Sequence, residues 1–211
     1  MSTTKTRRSL SLLAAFAVAA GALALPAAAS QATPSFGLAA TTERPASLVD
    51  LDPAKTGSIT IHKLVKQDDN GTKEGNGLLD PSATGKPLAG ATFTVEKLTS
   101  VDLTKQEGWE KLANYRKGKG DEKISANAAA IAAARADGTG TPVSMTTGDD
   151  GLATFNNLAL GAYIVTETQT PAGYTGSRPF IITVPMTHPT ELNKWVYDVH
   201  AYPKNAKVNV E

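Results

Sequence analysis

Residues 195–205 read WVYDVHAYPKN, and their side chains divide with the period of two that is typical of a β-strand. One face is apolar over its first eight residues and consists of Trp195, Tyr197, Val199 and Ala201. Asn205 falls in step with this face, whereas Lys204 belongs to the opposite face with Asp198 and His200. Pro203 cannot donate to a ladder, which suits an edge or a strand end. We therefore predict a strand whose end exposes Lys204 and points Asn205 inward.

Short alternating segments bounded by turn signals recur on the N-terminal side of this stretch. We predict strands over Ser58–Val65, Ala91–Leu98, Leu152–Phe155, Gly161–Thr168, Phe180–Val184 and Lys194–Tyr202, with strands resuming after Pro142. Gly148–Gly151 and Asn156-Asn157 are predicted turns. Thr104–Arg116 and the alanine-rich Ser125–Ala136 favour helices, which form an insertion at about 104–137. This pattern predicts a mainly β protein, a β-sandwich with a short helical insertion.

The first thirty residues have the three parts of a secretory signal peptide. Lys5, Arg7 and Arg8 precede the apolar run Leu10–Leu25, and Ala27-Ala28-Ala29 supplies the small residues of a cleavage site. A membrane anchor fits less well, because the run is short for a bilayer span. We predict a signal peptide at 1–30, cleaved after Ala29 or Ala32, followed by an extended segment at 31–56 rich in Ala, Ser, Thr and Pro.

Composition excludes several classes of function. The chain has 211 residues, no cysteine and a formal net charge of +1, and a charge so near neutrality gives no indication of nucleic acid as a partner. It has no nucleophile elbow, phosphate loop or Cys–His pair, and its three histidines lack metal-ligand spacing. We expect no enzyme activity, no cofactor and no metal. Export without cysteine directs attention to crosslinks other than disulfides.

Three polar side chains share faces with core residues. Lys63 lies in step with Ile59 and Ile61, and Glu167 lies in step with Val165. An unpaired buried lysine is costly, so an inward Lys63, Glu167 and Asn205 form a coherent set. Mutual burial favours a neutral amine and a protonated carboxyl. The alternative is a buried ion pair between Lys63 and Glu167.

Three segments resemble a known family. The stretch ITIHKL at 59–64 is similar to the opening strand of the collagen-adhesin-B-type, immunoglobulin-like domains of Gram-positive sortase-assembled major pilins. The stretch YIVTETQTPAGY at 163–174 resembles their E-box, Y-x-L-x-E-T-x-x-P-x-G-Y, with Val165 in the Leu place. Residues 195–204 resemble their pilin motif, W-x-x-x-V-x-V-Y-P-K, with Ala201 in the second Val place. The resemblance covers about 57–205 and gives no motif in the helical insertion.

The resemblance implies an immunoglobulin-like β-sandwich and a structural role in a covalent pilus. Lys204 would accept the threonine of another copy of the same pilin, in a Thr–Lys isopeptide linkage made by a pilin-specific sortase. The motif residues that support this role are Trp195, Val199, Tyr202, Pro203 and Lys204. Tip and base pilins and a host receptor are further expected partners, and the expected location is a secreted pilus anchored in the cell wall. The alternative function is a ligand-binding surface adhesin domain.

The resemblance also implies an intramolecular bond between Lys63 and Asn205, assisted by Glu167, with Asn209 as a second candidate acceptor. We expect 57–205 to be the pilin N-terminal domain and 206–211 to begin a linker toward a further domain. The family's subunits end in a sorting signal, and no such signal precedes Glu211, so we expect this chain to be the N-terminal part of a longer subunit.

Overall fold

The computed structural model describes residues 47–65, 75–116 and 128–205, with the backbone alone for residues 116, 204 and 205. The predicted signal peptide and the tail from 206 to 211 lie outside the described residues. A 3₁₀ turn occupies Leu48–Asp50, and the helices are α1 (Gln106–Arg116) and α2 (Ala128–Ala136). The strands are β1 (Thr56–His62), β2 (Leu64–Val65), β3 (Lys86–Pro87), β4 (Thr92–Lys97), β5 (Val143–Thr146), β6 (Leu152–Ala159), β7 (Gly161–Gln169), β8 (Phe180–Val184), β9 (Met186–Thr187), β10 (Trp195–Val196), β11 (Asp198–Ala201) and β12 (Lys204–Asn205).

Two sheets enclose the main core, as an immunoglobulin-like β-sandwich requires. The first has the order β11-β1-β6 and the second the order β5-β4-β7-β8. Two smaller sheets, β12-β2-β3 and β10-β9, extend the strand system. The core between the main sheets contains Ile59, Ile61, Phe155 and Val199 from the first and Phe93, Val95, Val165 and Val184 from the second. The predicted fold class is confirmed.

The helical insertion forms a third layer against the second sheet. Leu112 of α1 and Ile131 of α2 share a separate buried cluster with Leu98, Ala162 and Ile164. Because β7 lies between this cluster and the main core, Gly161–Val165 is buried on both faces and its sequence is continuously apolar. The alanine-rich composition of α2 gives it high helix propensity. In the part of the chain that the structure describes, no helix has the length and apolarity to cross a bilayer.

The prediction of a turn at Asn156-Asn157 is wrong. Strand β6 continues through both residues to Ala159, and its register against β1 shifts between Gly57 and Ile59. Gly57 pairs with Leu158 and Ile59 pairs with Phe155, so β6 has one more residue than β1 between these two pairs. The two asparagines therefore form a β-bulge. Asn157 adopts a positive φ of 55°, which asparagine tolerates better than most residues. The tolerance of Asn157 for a positive φ, which favours turns, therefore accommodates a bulge within β6.

The prediction of one continuous last strand is also wrong. Residues 195–205 form three short strands: β10 pairs antiparallel with β9, β11 pairs parallel with β1, and β12 pairs parallel with β2. The first break falls at Tyr197, whose carbonyl accepts a hydrogen bond from the Ser58 N–H at 3.0 Å. A Cβ at Gly57 would lie 2.2 Å from that carbonyl oxygen, so glycine is required there. The second break includes Pro203, which has no N–H to donate.

Candidate crosslinking site

Lys63 lies at the junction between β1 and β2 and is fully buried. Its N–H donates to the Gly151 carbonyl at 2.8 Å, and its own carbonyl accepts from the Leu88 N–H at 2.9 Å. Gly151 has a φ of 73°, and a Cβ there would meet the Lys63 carbonyl oxygen at 2.5 Å. Burial alternates along the segment, with Ile59, Ile61 and Lys63 all inward. The predicted inward orientation of Lys63 is confirmed.

The Lys63 amine contacts the Glu167 carboxylate. Its Nζ lies 2.8 Å from Glu167 Oε2, and neither side chain has any solvent exposure. The same nitrogen lies 5.2 Å from the centre of the Phe93 ring. Burial lowers the pKa of Lys63 below its ordinary value, and the hydrogen bond to Glu167 opposes that shift. The lowered pKa favours the neutral, nucleophilic form of the amine, and the adjacent carboxylate is positioned to accept the proton that the amine loses.

Glu167 is held by the loop that follows its strand. Glu167 Oε2 accepts hydrogen bonds from the Ser177 N–H at 2.6 Å and from the Ser177 hydroxyl at 2.7 Å. The loop turns back at Gly173, where φ is 84°, next to a hydrogen bond from the Tyr174 N–H to the Pro171 carbonyl. Sequence reasoning missed Ser177, because no strand periodicity connects it to Glu167; the preceding Pro-x-Gly-Tyr turn is the signal that the chain reverses there.

The backbone of β12 lies beside β2. Lys204 is in register with Leu64, and Asn205 is in register with Val65, which is buried. The strand that contains both predicted linkage residues is thus hydrogen-bonded to the strand that directly follows Lys63. The side chains of Lys204 and Asn205 lie outside the described part of the structure, so the outward lysine and the inward asparagine stay predictions.

The residues that precede Lys204 are anchored to three parts of the fold. Trp195 Nε1 donates to the Ser47 carbonyl at 3.2 Å, and the Trp195 ring lies 5.6 Å from the ring of Trp109 in α1. Val199 is completely buried in the main core. The Tyr202 hydroxyl accepts a hydrogen bond from the Asp80 N–H at 2.8 Å. These contacts fix the path of the chain into Pro203 and Lys204.

Tyr202 also belongs to a small ring cluster on the outer side of β1 and β11. Its ring stacks on His62 with the centroids 4.4 Å apart, and His62 Nε2 lies 2.8 Å from His200 Nδ1. Burial lowers the pKa of both histidines; the proximity of His200 lowers that of His62 further, while Asp150 and Asp198 act in the opposite direction. Sequence reasoning placed His200 on the polar face of the last strand with Lys204 and missed its contact with His62, which depends on the parallel pairing of β1 with β11.

Two further observations limit the chemistry of the described residues. Across 47–65, 75–116 and 128–205, no three or more histidine, aspartate or glutamate side chains come together in a group that could hold a metal ion. Within the same ranges, every buried side-chain nitrogen and oxygen has a hydrogen-bond partner. The polar core around Lys63 is therefore fully satisfied, which is the condition under which a buried charge pair is stable.

Residues 54–206 match the family described as the Gram-positive pilin subunit D1, N-terminal domain. A curated relative, the fimbrial subunit type 1 of Actinomyces viscosus, is 40% identical over 213 residues, which cover 100% of this chain and 36% of the relative. The chain therefore spans about a third of the length of that relative.

Solved structures of similar proteins cover about three quarters of the chain. The fimbrial protein FimP from Actinomyces oris is 38% identical with a TM-score of 0.59, over 74% of this chain and 30% of that one. A solution structure of a SpaA pilin–signal peptide complex from Corynebacterium diphtheriae is 25% identical with a TM-score of 0.51, over 74% of this chain and 100% of that one. The second match therefore spans the whole of that chain.

Proposed function

The chain belongs to the Gram-positive pilin subunit D1 N-terminal domain family, and from this we infer that it is the N-terminal part of a pilus backbone subunit. In this proposal, the subunit is exported and polymerised at the cell surface, and Lys204 is the point at which the next copy is joined. The observation that carries the proposal is the anchored motif at 195–204, which ends at a short strand beside β2.

The linkage is an acyl transfer to an amine. A sortase holds the threonine of one subunit as a thioester, and the Lys204 amine of another copy attacks the thioester carbonyl carbon. The carbon–sulfur bond breaks, one hydrogen of the neutral amine passes to the sulfur as the enzyme thiol leaves, and an amide that keeps the other hydrogen forms. The attacking amine must be neutral, and the ordinary pKa of lysine is about 10.4, so the enzyme complex has to favour deprotonation.

The contacts of the motif residues support this role for Lys204. Trp195, Val199 and Tyr202 each contact a different part of the domain, so the backbone before Lys204 is held in place. Such fixation lowers the entropy lost when an enzyme engages the lysine. The similar SpaA pilin forms a complex with a signal peptide. We propose that this domain likewise binds a peptide segment of a neighbouring subunit near the motif.

The test is substitution of Lys204 in cells that make the complete subunit. Lys204→Arg should abolish high-mass polymers that survive SDS, because arginine keeps the charge but cannot supply a neutral amine. Lys86→Arg is the matched control: Lys86 is exposed in β3, on the other side of β2 from β12, and its replacement should leave polymers intact. Normal polymers in the Lys204→Arg strain would refute the proposal, and adhesion lost without loss of polymer would favour the adhesin alternative.

We further propose that Lys63 forms an isopeptide bond within the domain, with Asn205 as acceptor. The Lys63 nitrogen attacks the side-chain amide carbon, the amide carbon–nitrogen bond breaks, and ammonia leaves. Complete burial of Lys63, its 2.8 Å contact with Glu167 and the pairing of β12 with β2 support the proposal.

Intact-mass measurement tests the internal bond. The chain should be lighter than its sequence mass by one ammonia, and Lys63→Met or Glu167→Ala should restore the full mass. Asn205→Ala should also restore it, whereas Asn209→Ala should not; the reverse result would assign the bond to Asn209. A wild-type mass equal to the sequence mass would leave Lys63 and Glu167 as an ion pair and remove the bond.

A further inference from the structure

Ser177 makes an unusual pair of contacts with the buried carboxylate. Its N–H and its hydroxyl both donate to Glu167 Oε2, at 2.6 and 2.7 Å, and this is the oxygen to which Lys63 donates at 2.8 Å. Three donors thus converge on a single oxygen of a side chain with no solvent exposure. Hydrogen bonds from N–H and O–H donors stabilise a carboxylate in its ionised form, and burial alone acts in the opposite direction.

The position of Ser177 depends on the turn that ends the E-box. After β7 the chain reverses at Pro171–Tyr174 and returns along the side of the strand, so that residue 177 meets residue 167. A Cβ on the preceding Gly176 would lie 4.0 Å from the Glu167 carboxyl, which shows how closely this loop covers the group. The loop therefore both excludes water from the carboxylate and supplies the donors that replace water.

We propose that Ser177 is a positioning residue for the internal bond, an inference that rests on the proposed reaction of Lys63. Ser177 holds Glu167 as a carboxylate with Oε2 against the amine, so that the ammonium proton of Lys63 has a defined acceptor. The burial expected from the sequence favours a carboxyl that is protonated from the start. The Ser177 donors instead favour a charged pair that becomes neutral only by internal proton transfer.

The proposed sequence balances in atoms and charge. Lys63 passes one proton to Glu167 Oε2, and the neutral amine attacks the amide carbon. A second amine hydrogen moves to the amide nitrogen, which leaves as ammonia with its own two hydrogens. The third amine hydrogen stays on the new amide nitrogen, and the first remains on the Glu167 carboxyl. No oxidant or other reactant is needed.

The first experiment starts from the full chain recovered unreacted from inclusion bodies in urea, because urea would not break a bond that had already formed. Bond formation is followed by intact mass after dilution into buffers at a series of pH values. Ser177→Ala keeps the backbone donor and removes the hydroxyl, so bond formation should slow about tenfold, and the acid limb of the pH–rate profile should move upward by about one pH unit. Ser177→Thr should restore both. Ser82→Ala, which removes an exposed hydroxyl from the Asp80 carboxylate, is the matched control and should change neither.

The second experiment does not depend on the bond. In a Lys63→Met background, which cannot react, NMR titration of the Glu167 carboxyl carbon should show a midpoint about one pH unit higher when Ser177→Ala is added. An unchanged midpoint, or a slower reaction with an unchanged pH profile, would overturn the role of Ser177 while the bond itself stands. A wild-type chain that never loses ammonia would refute the bond instead, and the titration would still decide whether Ser177 sets the charge of Glu167.

Discussion

Replacing Glu167 with alanine should leave the Lys63 amine buried with no carboxylate beside it. Both side chains of the pair are fully buried, and breaking such a pair by removing one partner costs about 3–5 kcal/mol. For a domain of this size, each 1 kcal/mol corresponds to roughly 2–4 °C in Tm, so Glu167→Ala should lower Tm by about 6–20 °C. Loss of the internal bond would add to this decrease.

A double variant distinguishes the cost of an unpaired buried charge from the cost of losing the internal bond. Lys63→Met combined with Glu167→Leu also cannot form the bond, but it leaves no buried charge, and apolar replacement of a buried ion pair is often neutral or stabilising. The double variant should therefore be several kcal/mol more stable than Glu167→Ala. Glu110→Ala, on the exposed face of α1, should change stability by no more than about 0.5 kcal/mol.

Urea unfolding followed by tryptophan fluorescence is the natural assay. The chain has two tryptophans, and Trp109 and Trp195 lie 5.6 Å apart, so their emission reports the contact between the helical insertion and the pilin motif. The free energy of unfolding follows from the linear dependence on urea concentration. If Glu167→Ala lies within 1 kcal/mol of wild type, or if the double variant is no more stable than Glu167→Ala, then Glu167 does not offset the cost of burying the Lys63 amine.

Three further predictions use the same assay. Gly57→Ala should destabilise the domain by about 1–3 kcal/mol, because its Cβ would lie 2.2 Å from the Tyr197 carbonyl oxygen. An unchanged free energy of unfolding would contradict this close approach of the two segments. Leu112→Ala should cost about 2–5 kcal/mol, whereas Leu79→Ala, with Leu79 59% exposed, should change little, and equal effects would contradict the buried helical layer. Because burial lowers the pKa of His62, the unfolded chain binds its proton more readily, so this histidine's contribution to stability is present above pH 6.5 and is lost as pH falls toward the folded pKa. His62→Gln should flatten the pH dependence below pH 6.5, and an unchanged slope would exclude a contribution from His62.

The buried polar pair was predictable because it depends on strand periodicity alone. Lys63 continues the inward alternation of Ile59 and Ile61, and Glu167 lies two residues after the buried Val165, so a sandwich core brings the two positions together. The bounds of α1, β4 and β8 were likewise close to those expected, because propensity and turn signals act locally. The prediction of a turn at Asn156-Asn157 was wrong because a non-local interaction decides the structure there. Pairing with β1 on both sides of the asparagines outweighs their local preference for a turn.

Ser177 and the histidine pair could not be predicted in the same way. Ser177 reaches Glu167 through a loop whose path depends on a turn and on packing against β7, and no period relates the two residues. His62 and His200 meet because β1 and β11, separated by most of the domain in sequence, pair in parallel with Thr60 beside His200. Sequence alternation assigns each histidine to an outward face but does not identify which strands are neighbours.

The parallel pairing of the first and last strands has a mechanical consequence. The segments β1 and β2 run side by side with β11 and β12 in the same direction, and the chain enters the sandwich at one end of this pair and leaves at the other. A force that pulls these two ends apart slides the strands along each other, so their cross-strand hydrogen bonds share the load. Antiparallel terminal strands would instead open from one end, one bond after another. A domain pulled at these two ends would therefore be loaded in shear.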